Sequence, residues 1–459
     1  MLPDDALLDI FAFYMDDELI DPLDDIYASE PRIEMWRTLA HVCRKWRYIV
    51  FGSPRRLHLR VYCRAQTPVR EMLDIWPNFP IVLWVTDYLE NLDDTIAALK
   101  HNDRVCGIYL WGVQNSGSEK ILAAMKRPFP ALTCLVLGFK DETAPLHPDS
   151  FLGESAQRLQ SLILYHIPFP GLPTLLLSAT HLVRLHLLRI PHSGYISPDA
   201  MVTTLSVLTR LEKLAINFTS LQSRPAWKTR YSPPTRTIVP VLTNLMFTGV
   251  SEYLEDLLAR IDAPLLDRLN ITFYHKLIFD TPQLTQFIGR TPNFKAFHEA
   301  HVGFHDVSAS IKLYPTSSAR FLVLNISSKQ PDWQLLTLTR LCRSSFLRAL
   351  IPMERLYIRV LRPLPLPWQD ERNQWLELLD LFTAVKDLYI TSKSMPRIAP
   401  ALQELIGERV TEVLPSLQVL LLPETISSEP APEAIGMFVA ARQLAGHPIS
   451  ISRWDDEGR

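Results

Sequence analysis

A unit of the form Leu-x-x-Leu-x-Leu, in which x is any residue, recurs along most of this chain of 459 residues. The step between neighbouring units varies, and it is shortest from Leu159 to Leu182 and among the longest from Val385 to Leu417. Self-similarity at such a period is typical of stacked repeats, in which each repeat contacts only its neighbours. The first apolar residue of each unit, its anchor, is found at these positions: Val105, Leu132, Leu159, Leu182, Leu211, Leu242, Leu266, Phe294, Phe321, Met353, Val385 and Leu417.

Each unit predicts one β-strand, because its fourth and sixth positions have the spacing of residues on one face of a strand. Segments with helical periodicity lie between the units, for example at 199–208 and 375–383. The units resemble leucine-rich repeats, whose period is about 20–29 residues. We therefore predict an α/β fold in which residues 105–450 form a curved solenoid with one parallel sheet. The unit at Phe294 has Glu299 at its sixth position, which indicates an irregular stretch that extends to about residue 305.

Residues 56–104 are predicted to open this sheet with two atypical strands and a helix. The segment 56–62 alternates apolar and polar residues, and the segment 79–85 is a short apolar run. No flexible linker is evident between these strands and the segment 1–55 that precedes them. We therefore expect three parts: a helical domain at 1–55, a transition at 56–104 and the repeat array at 105–450.

The segment 1–55 predicts two amphipathic helices. Pro3 and the acids after it fit a first helical turn, and apolar residues then follow at helical spacing from Leu7 to Met15. A second helix is predicted from Met35 to Val50, with Cys43 as a packing thiol in its apolar stripe. Helices this short cannot bury all of this surface by themselves, so a partner or the repeats are expected to cover part of it.

An acidic insert at 16–34 separates the two predicted helices. Its charge pattern is typical of a solvated loop. The segment from Trp36 to Arg70 has the opposite character, because it contains only basic charged residues. We expect the two segments to pair with one another, weakly for each ion pair.

Two spaced elements carry a family resemblance: Leu2, Pro3, Leu7, Ile10 and Phe11, and then Val42, Cys43, Arg44, Trp46 and Arg47. They resemble the F-box, and with the long acidic insert they look like the large F-box family of mushroom-forming fungi. The resemblance implies docking onto the Skp adaptor, and through it a cullin, of a Skp–cullin–F-box ubiquitin ligase. The residues that it implies for the adaptor contact are Leu2, Pro3, Leu7, Ile10, Phe11, Val42, Cys43 and Trp46.

A second hypothesis explains the same helices without an adaptor. In it, the helical domain only seals the end of the repeat array, and the chain is a protein-binding scaffold with a non-functional F-box-like cap. The sequence leaves both hypotheses open.

A target protein is expected to bind the concave face of the sheet, which the third, fifth and seventh positions of the units line. Aromatic residues and arginines dominate binding hot spots, and an arginine-rich face would suit an acidic or phosphorylated segment. The candidate target-binding residues are Tyr109, Trp111, Tyr165, Arg184, His186, Arg268, Arg355, Tyr357, Arg359 and Tyr389. Together with the F-box resemblance, this face indicates a substrate-recognition subunit of the ligase.

Other functional classes are disfavoured by composition. The net charge is -2, so neither a nucleic acid nor a membrane is expected as a partner. The five cysteines are odd in number and form no C-x-x-C pair, which favours a reducing compartment, the cytoplasm and/or the nucleus. No catalytic motif is recognised, so we expect no enzyme activity, no cofactor and no metal. The one alternative is a metal or catalytic site among His298, His301 and His305.

Overall fold

The computed structural model of the chain describes residues 2–16, 35–54, 56–57, 59–64, 69, 73, 79–86, 92–113, 115–140, 151–168, 172–219, 235–274, 281–295, 297–315, 320–328, 330–346, 350, 352–361, 370–405, 407, 409–423 and 431–455. They divide into two compact units, Met1–Leu182 and Val183–Arg459. The acidic insert lies outside the described residues from 17 to 34, so its solvated loop stays a prediction.

The sheet of the first unit is parallel throughout. Its strands are hydrogen-bonded to one another in the order of the sequence, β1 to β5. They are β1 (Val61–Arg64), β2 (Ile81–Thr86), β3 (Val105–Val113), β4 (Cys134–Phe139) and β5 (Ser161–Tyr165). The prediction of β2 is confirmed. The first strand begins later than predicted, because the amides of Leu57 and Leu59 still bond to the carbonyls of Ser53 and Pro54 in a turn.

Six α-helices of the first unit are described: α1 (Asp4–Asp16), α2 (Met35–Val42), α3 (Arg44–Gly52), α4 (Leu92–Leu99), α5 (Asn115–Ala124) and α6 (Leu172–Ser178). The prediction of one helix from Met35 to Val50 is wrong, because the helix breaks at Cys43. Cys43 has an extended backbone (φ −160°, ψ 169°), and its Sγ accepts a hydrogen bond from the amide of Trp46 at 3.4 Å. It is an exposed N-cap of α3 and not the packing thiol that periodicity predicted.

The second unit has a larger sheet, in which the described strands follow the order β6-β7-β9-β11-β14-β13-β12-β15-β16-β17-β18. A two-stranded pair, β8 with β10, lies apart from it. The strands are β6 (Arg184–Ile190), β7 (Lys213–Phe218), β8 (Thr237–Ile238), β9 (Asn244–Gly249), β10 (Ile261–Asp262), β11 (Arg268–Phe273), β12 (Glu299–His305), β13 (Ser308–Tyr314), β14 (Phe321–Ser327), β15 (Arg355–Val360), β16 (Asp387–Ile390), β17 (Val419–Pro423) and β18 (Ser450–Trp454).

Helices lie between many of these strands along the chain, as a strand–helix repeat requires, but not between β12, β13 and β14. Eight α-helices of the second unit are described: α7 (Pro198–Val207), α8 (Ser251–Leu258), α9 (Pro282–Arg290), α10 (Pro331–Leu341), α11 (Glu371–Leu379), α12 (Met395–Gln403), α13 (Arg409–Glu412) and α14 (Ala431–Leu444). Ring contacts place two of them against one face of the sheet; the ring of Trp375 in α11 lies 5.1 Å from that of Phe304 in β12. Tyr253 in α8 likewise stacks on Phe247 in β9 at 5.8 Å. In each unit, we call the face of the strands that carries the third and fifth positions of the repeats, opposite the buried fourth and sixth positions, the open face.

The predicted repeat fold is confirmed for most units. Strands begin two residues after their anchors, as at Cys134 after Leu132 and at Val419 after Leu417. The fourth and sixth positions are buried under the helices; Leu135 and Leu137 are examples. Because these positions are apolar and the third and fifth are not constrained in this way, the hydrophobic pattern fixes which strand face points inward. Both units therefore have the strand–helix repeat of a leucine-rich-repeat fold.

The prediction of an entirely parallel sheet is wrong at one place. β12 and β13 form a hairpin, and β13 is antiparallel to both of its neighbours, β12 and β14. The irregularity that Glu299 indicated is therefore an inserted hairpin. The anchors Phe294 and Phe321 are also out of register. Glu299, the predicted sixth position of the Phe294 unit, aligns with Arg355, and Phe321 aligns with Arg268; both arginines occupy the third position of their units. Phe321 is misplaced by two residues because an alternating pattern looks the same after a shift of two.

Candidate functional site

The residues implied for the adaptor contact are divided between interior and surface. Leu7 and Phe11 are buried in the first unit, and the ring of Trp46 lies half-buried at 4.8 Å from that of Phe11. The contact between Phe11 and Trp46 joins α1 to α3. The remaining five are exposed: Leu2, Pro3, Ile10, Val42 and Cys43.

Further apolar side chains of the same helices are exposed and were not among the predicted site residues. Phe13 is 85% exposed and Tyr48 is 78% exposed. Ile10, Phe13 and Tyr14 are spaced i, i+3 and i+4, so they form one continuous strip on α1. Helical spacing from Ile10 could have identified Phe13, but the F-box pattern does not include that position. We define the N-terminal apolar surface by its exposed members: Leu2, Ile10, Phe13, Tyr14 and Val42.

The helices α2 and α3 are attached to the region of the first strands. The indole of Trp36 in α2 donates a hydrogen bond to the carbonyl of Arg60 at 3.1 Å. Its ring also contacts the rings of Phe51 and Phe79, at 6.1 and 5.8 Å. Trp36 and Phe79 are both buried, so α2 is fixed next to the beginning of β2 by a buried aromatic contact and not by a loop alone.

Ion pairs also connect α1 to α3 and to the turn that follows α3. Arg56 forms ion pairs with Asp9 at 2.6 Å and Asp5 at 3.2 Å, and these hydrogen bonds raise the pKa of the Arg56 guanidinium. Lys45 pairs with Asp4 at 3.0 Å. The basic segment thus pairs with α1, whereas its predicted pairing with the acidic insert lies outside the described residues. Exposed pairs of this kind add little stability each.

Four aromatic side chains follow the open face of the first unit, on β2, β3 and β5. The rings of Trp84 and Tyr109 lie 4.6 Å apart, and those of Trp111 and Tyr165 lie 4.8 Å apart. Trp111 reaches Tyr165 across β4 because the intervening residue is Gly138, where a Cβ atom would lie 2.7 Å from Cε3 of Trp111. Burial raises the pKa of the Tyr109 hydroxyl, so this phenol stays neutral.

A second aromatic group follows the open face of the second unit. The ring of His301 in β12 stacks on Tyr357 in β15 at 4.3 Å, and Tyr357 stacks on Tyr389 in β16 at 4.0 Å. Trp454 in β18 meets Tyr389 edge-on at 5.2 Å. Strand register explains this row, because His301, Tyr357 and Tyr389 occupy paired ladder positions. Tyr357 is 5% exposed, so its neighbours present most of the accessible ring surface.

Charged groups border this row. Nε2 of His301 lies 2.5 Å from Oε1 of Glu299, and Arg355 donates to the other carboxylate oxygen at 3.5 Å. Burial lowers the pKa of His301, against the opposing effect of Glu299. Arg359 in β15 lies on the same face, at the ladder position that pairs with Gly303 in β12. This part of the face combines stacked rings with two arginines.

Basic residues lie at the other end of the same sheet. Arg184 is 8% exposed at the start of β6, whereas Arg268 at the start of β11 is exposed and lies over the ring of Phe321 at 5.7 Å. His186 is half-buried, two residues after Arg184. Lys213 pairs in register with Arg184 and belongs to the same face, although it was not predicted.

The ten candidate target-binding residues therefore fall into three groups. Tyr109, Trp111 and Tyr165 lie in the first unit; Arg184, His186 and Arg268 lie at one end of the second sheet; and Arg355, Tyr357, Arg359 and Tyr389 lie towards its other end. Sequence reasoning did not place Trp84, Lys213, His301 or Trp454 among the residues of the open faces. His301 was missed because its unit was read out of register, and Trp454 because it follows the last anchor.

Metal-binding and membrane-spanning features are not found in the described part of the chain. There, no three or more His, Cys, Asp or Glu side chains come together as a metal site would require. The structure instead engages His301 with Glu299 and Tyr357. No described helix is both long enough and apolar enough to cross a membrane.

Comparison with known proteins adds a structural similarity. No protein-family model matches the chain, and no curated protein matches it. The leucine-rich repeat-containing protein LegL7 from Legionella pneumophila is similar at 13% sequence identity, over 84% of this chain and 98% of that chain, with a TM-score of 0.29. The repeat assignment rests on the strand register and periodicity of this chain itself.

Proposed function

We propose that this protein is a substrate-recognition adaptor of a Skp–cullin–F-box ubiquitin ligase. The helical domain at 1–55 would bind the Skp adaptor, and through it a cullin. The open face of the repeats would bind a target protein. The chain would act as a non-catalytic subunit in the cytoplasm or nucleus.

The N-terminal apolar surface is the observation that carries this proposal. Ile10 is 50% exposed and Val42 is 56% exposed, although Leu7, Phe11 and Trp36 of the same helices are buried. A helical domain with its own core has no folding reason to expose a strip of large apolar residues. Exposed apolar strips of this kind mark protein–protein contact sites. The surface also contains Leu2, Ile10 and Val42, which the F-box resemblance implies for the adaptor contact.

Proximity would supply the biochemical effect. A subunit that binds the ligase core with one part and a target with another raises the effective concentration of the target near the ubiquitin-carrying enzyme. No catalytic residue is needed in this chain for that role. The aromatic and arginine side chains of the open faces are of the types that dominate protein-binding hot spots.

The end-cap scaffold is the competing proposal, and one contact favours it. Trp36 joins α2 to the first strands through the carbonyl of Arg60 and the ring of Phe79. A cap needs this attachment and nothing more. It does not require the exposed strip on α1, which is why we prefer the adaptor role.

A binding experiment separates the two proposals. Purified full-length chain is mixed with purified Skp adaptor, and the complex is measured by pull-down and calorimetry. Ile10→Asp and Val42→Asp place a charge on the apolar surface and leave Phe11 and Trp46, which contact one another, unchanged. Leu177→Asp is the matched control, because Leu177 is an exposed apolar residue of α6.

We expect the wild-type and Leu177→Asp chains to bind equally. Each surface variant should lose about tenfold or more in affinity, since burying an unpaired carboxylate in an apolar contact is costly. Unchanged thermal unfolding would establish that the variants are folded. A folded wild-type chain that does not bind the adaptor would leave the scaffold as the better proposal.

A further inference from the structure

The strand β18 forms an edge of the sheet in the second unit. Among the residues that the structure describes, β18 is hydrogen-bonded on one side only, to β17, and the two strands are parallel. The amide of Ser450 donates to the carbonyl of Gln418 at 2.9 Å. Because the backbone groups of a strand point alternately to its two sides, Ile451 and Arg453 direct their N–H and C=O groups away from β17. The outer side of β18 therefore offers backbone donors and acceptors to a further strand.

This edge lacks the usual protection against pairing. Native sheet edges are commonly protected by lysine, proline or a β-bulge. β18 has the sequence Ser-Ile-Ser-Arg-Trp and pairs with β17 in continuous register, so it contains none of the three. Its one charged side chain does not guard the edge, because Nη1 of Arg453 donates to the carbonyl of Pro423 in β17 at 2.8 Å. Residues 450–453 are exposed, so the outer side is accessible.

Two further side chains of β18 are also directed over its own sheet. The indole of Trp454 donates to the carbonyl of Ile390 at 3.4 Å, and its ring meets Tyr389 edge-on at 5.2 Å. The hydroxyl of Ser450 donates to the carbonyl of Gln418 at 3.3 Å. These contacts hold the strand in place within one chain. They occupy the inner side of β18 and leave its outer side to another strand.

An exposed apolar side chain accompanies this edge. Ile451 is 47% exposed, although it pairs in register with Leu420, which is buried on the inner face of the sheet. In a stack of repeats, the next unit covers a residue at this position, and a terminal repeat needs a polar outer face instead. Ile451 gives this edge an apolar residue to bury in addition to its outward backbone groups.

A second copy of β18 fits the edge. In an antiparallel pair with a two-fold axis at Ser452, Ile451 lies opposite Arg453 of the second copy, and both residues have outward backbone groups that match. Ser450 then lies opposite Trp454 of the second copy, a small side chain opposite a large one. Every residue of β18 is paired in this register. An axis at Arg453 would instead place two arginines opposite one another, which is unfavourable.

We propose that this protein forms a homodimer in which the β18 strands of two copies pair antiparallel about a two-fold axis at Ser452. The pairing joins the two sheets and covers Ile451 of each copy. It is closed, because each copy uses its β18 edge and leaves none for a third chain. The inference goes beyond the adaptor role and does not depend on it.

Sedimentation velocity of the full-length chain tests the dimer. Measurements run from about 1 to about 100 µM, the range in which a dimer of micromolar affinity dissociates. We expect the mean mass to rise towards that of two chains. Ile451→Lys places a charge opposite Arg453 of the second copy and should weaken dimerisation about tenfold or more. Ile238→Lys is the matched control, because Ile238 is an exposed isoleucine of β8. Thermal unfolding establishes that both variants are folded.

Cross-linking tests the position of the axis. The background is Cys43→Ser, which removes an exposed thiol. Ser452→Cys places two new thiols at the axis, where facing Cα atoms lie about 4.5 Å apart. A disulfide joins Cα atoms about 4.4–6.8 Å apart, so we expect a covalent dimer on a non-reducing gel after mild oxidation. Ser450→Cys is the matched control, because its two copies would lie about 13 Å apart along the strands.

Three outcomes would overturn the proposal: a wild-type chain that stays monomeric at about 100 µM, an Ile451→Lys chain that dimerises like wild type, or an equal loss in Ile238→Lys. The first outcome would assign the edge to an extended segment of another protein. Equal cross-linking of Ser450→Cys and Ser452→Cys would refute the axis at Ser452. Ile451→Lys should bind the Skp adaptor like wild type, and Ile10→Asp should still dimerise, so the two proposals fail independently.

Discussion

Trp111 lies over Gly138 on the open face of the first unit, so close that a Cβ atom at residue 138 would come within 2.7 Å of Cε3 of the indole. The glycine is what allows the ring to cross β4 and meet Tyr165 at 4.8 Å. An aromatic contact between two strands that are not neighbours thus depends on the absence of one side chain between them.

Gly138→Ala should therefore displace Trp111 and destabilise the protein. We expect a loss of about 1–3 kcal/mol in the free energy of unfolding, which is typical of an inserted methyl group in a packed site. Gly436→Ala is the control, because a Cβ atom there meets nothing within 4 Å and residue 436 lies inside α14. That change should stabilise the protein by about 0.5–1 kcal/mol. Urea unfolding measures both.

A double-mutant cycle identifies the cause of the stability loss expected for Gly138→Ala. If the indole is the obstacle, Gly138→Ala should cost almost nothing in a Trp111→Ala background. An unchanged cost in that background would show that the strand backbone, and not the ring, requires glycine.

The hydrophobic pattern predicted the strands well, because apolar residues at the fourth and sixth positions are buried in both units. It could not predict the hairpin of β12 and β13, since an alternating strand looks the same whether its neighbour is parallel or antiparallel. Cys43 illustrates a second limit. Its sulfur fits an apolar stripe as well as it fits an N-cap, and only the extended backbone of Cys43 distinguishes the two.

The candidate faces were predictable only in part. Position in the repeat correctly placed Tyr357 and Tyr389 on one face, but it could not show that they stack at 4.0 Å or that His301 joins them. Those contacts depend on which strands are neighbours, which is a property of the assembled sheet. The role of Gly138 has the same origin, because its partner belongs to another strand.

Thiol labelling tests the break at Cys43. In the native protein at pH 8, we expect Cys43 to react first, because it is exposed whereas Cys63 and Cys342 are buried. Burial raises the pKa of the Cys342 thiol to about 12, so this residue should remain unreactive. Cys43→Ser should remove the fast phase of the reaction with a disulfide reagent and keep stability, since serine is a preferred N-cap. A fast phase that survives in Cys43→Ser would contradict the exposed cap.

The His301 environment predicts a pH dependence of stability. Burial lowers the pKa of His301 below its ordinary value of 6.5, so the folded protein disfavours the proton that the unfolded chain binds. This residue should therefore destabilise the fold as the pH falls through about 6.5, and have no such effect at pH 8. His301→Gln should lose less stability than wild type between pH 8 and pH 5.5. Parallel curves for the two proteins would show that His301 does not titrate differently on folding.

A buried ion pair gives the sharpest stability prediction in the second unit. Arg397 in α12 donates to Oε2 of Glu371 at 2.7 Å, and the indole of Trp375 donates to the other oxygen at 3.3 Å. Both charged side chains are largely buried. Arg397→Met would leave a carboxylate without its countercharge, which costs about 3–5 kcal/mol in buried pairs.

Adding Glu371→Gln to that variant should recover a large part of the loss, because an amide carries no charge and its oxygen still accepts from Trp375. Chemical denaturation of the single and double variants measures the difference. If the double variant is no more stable than Arg397→Met alone, the cost comes from lost packing of the arginine stem and not from the stranded charge.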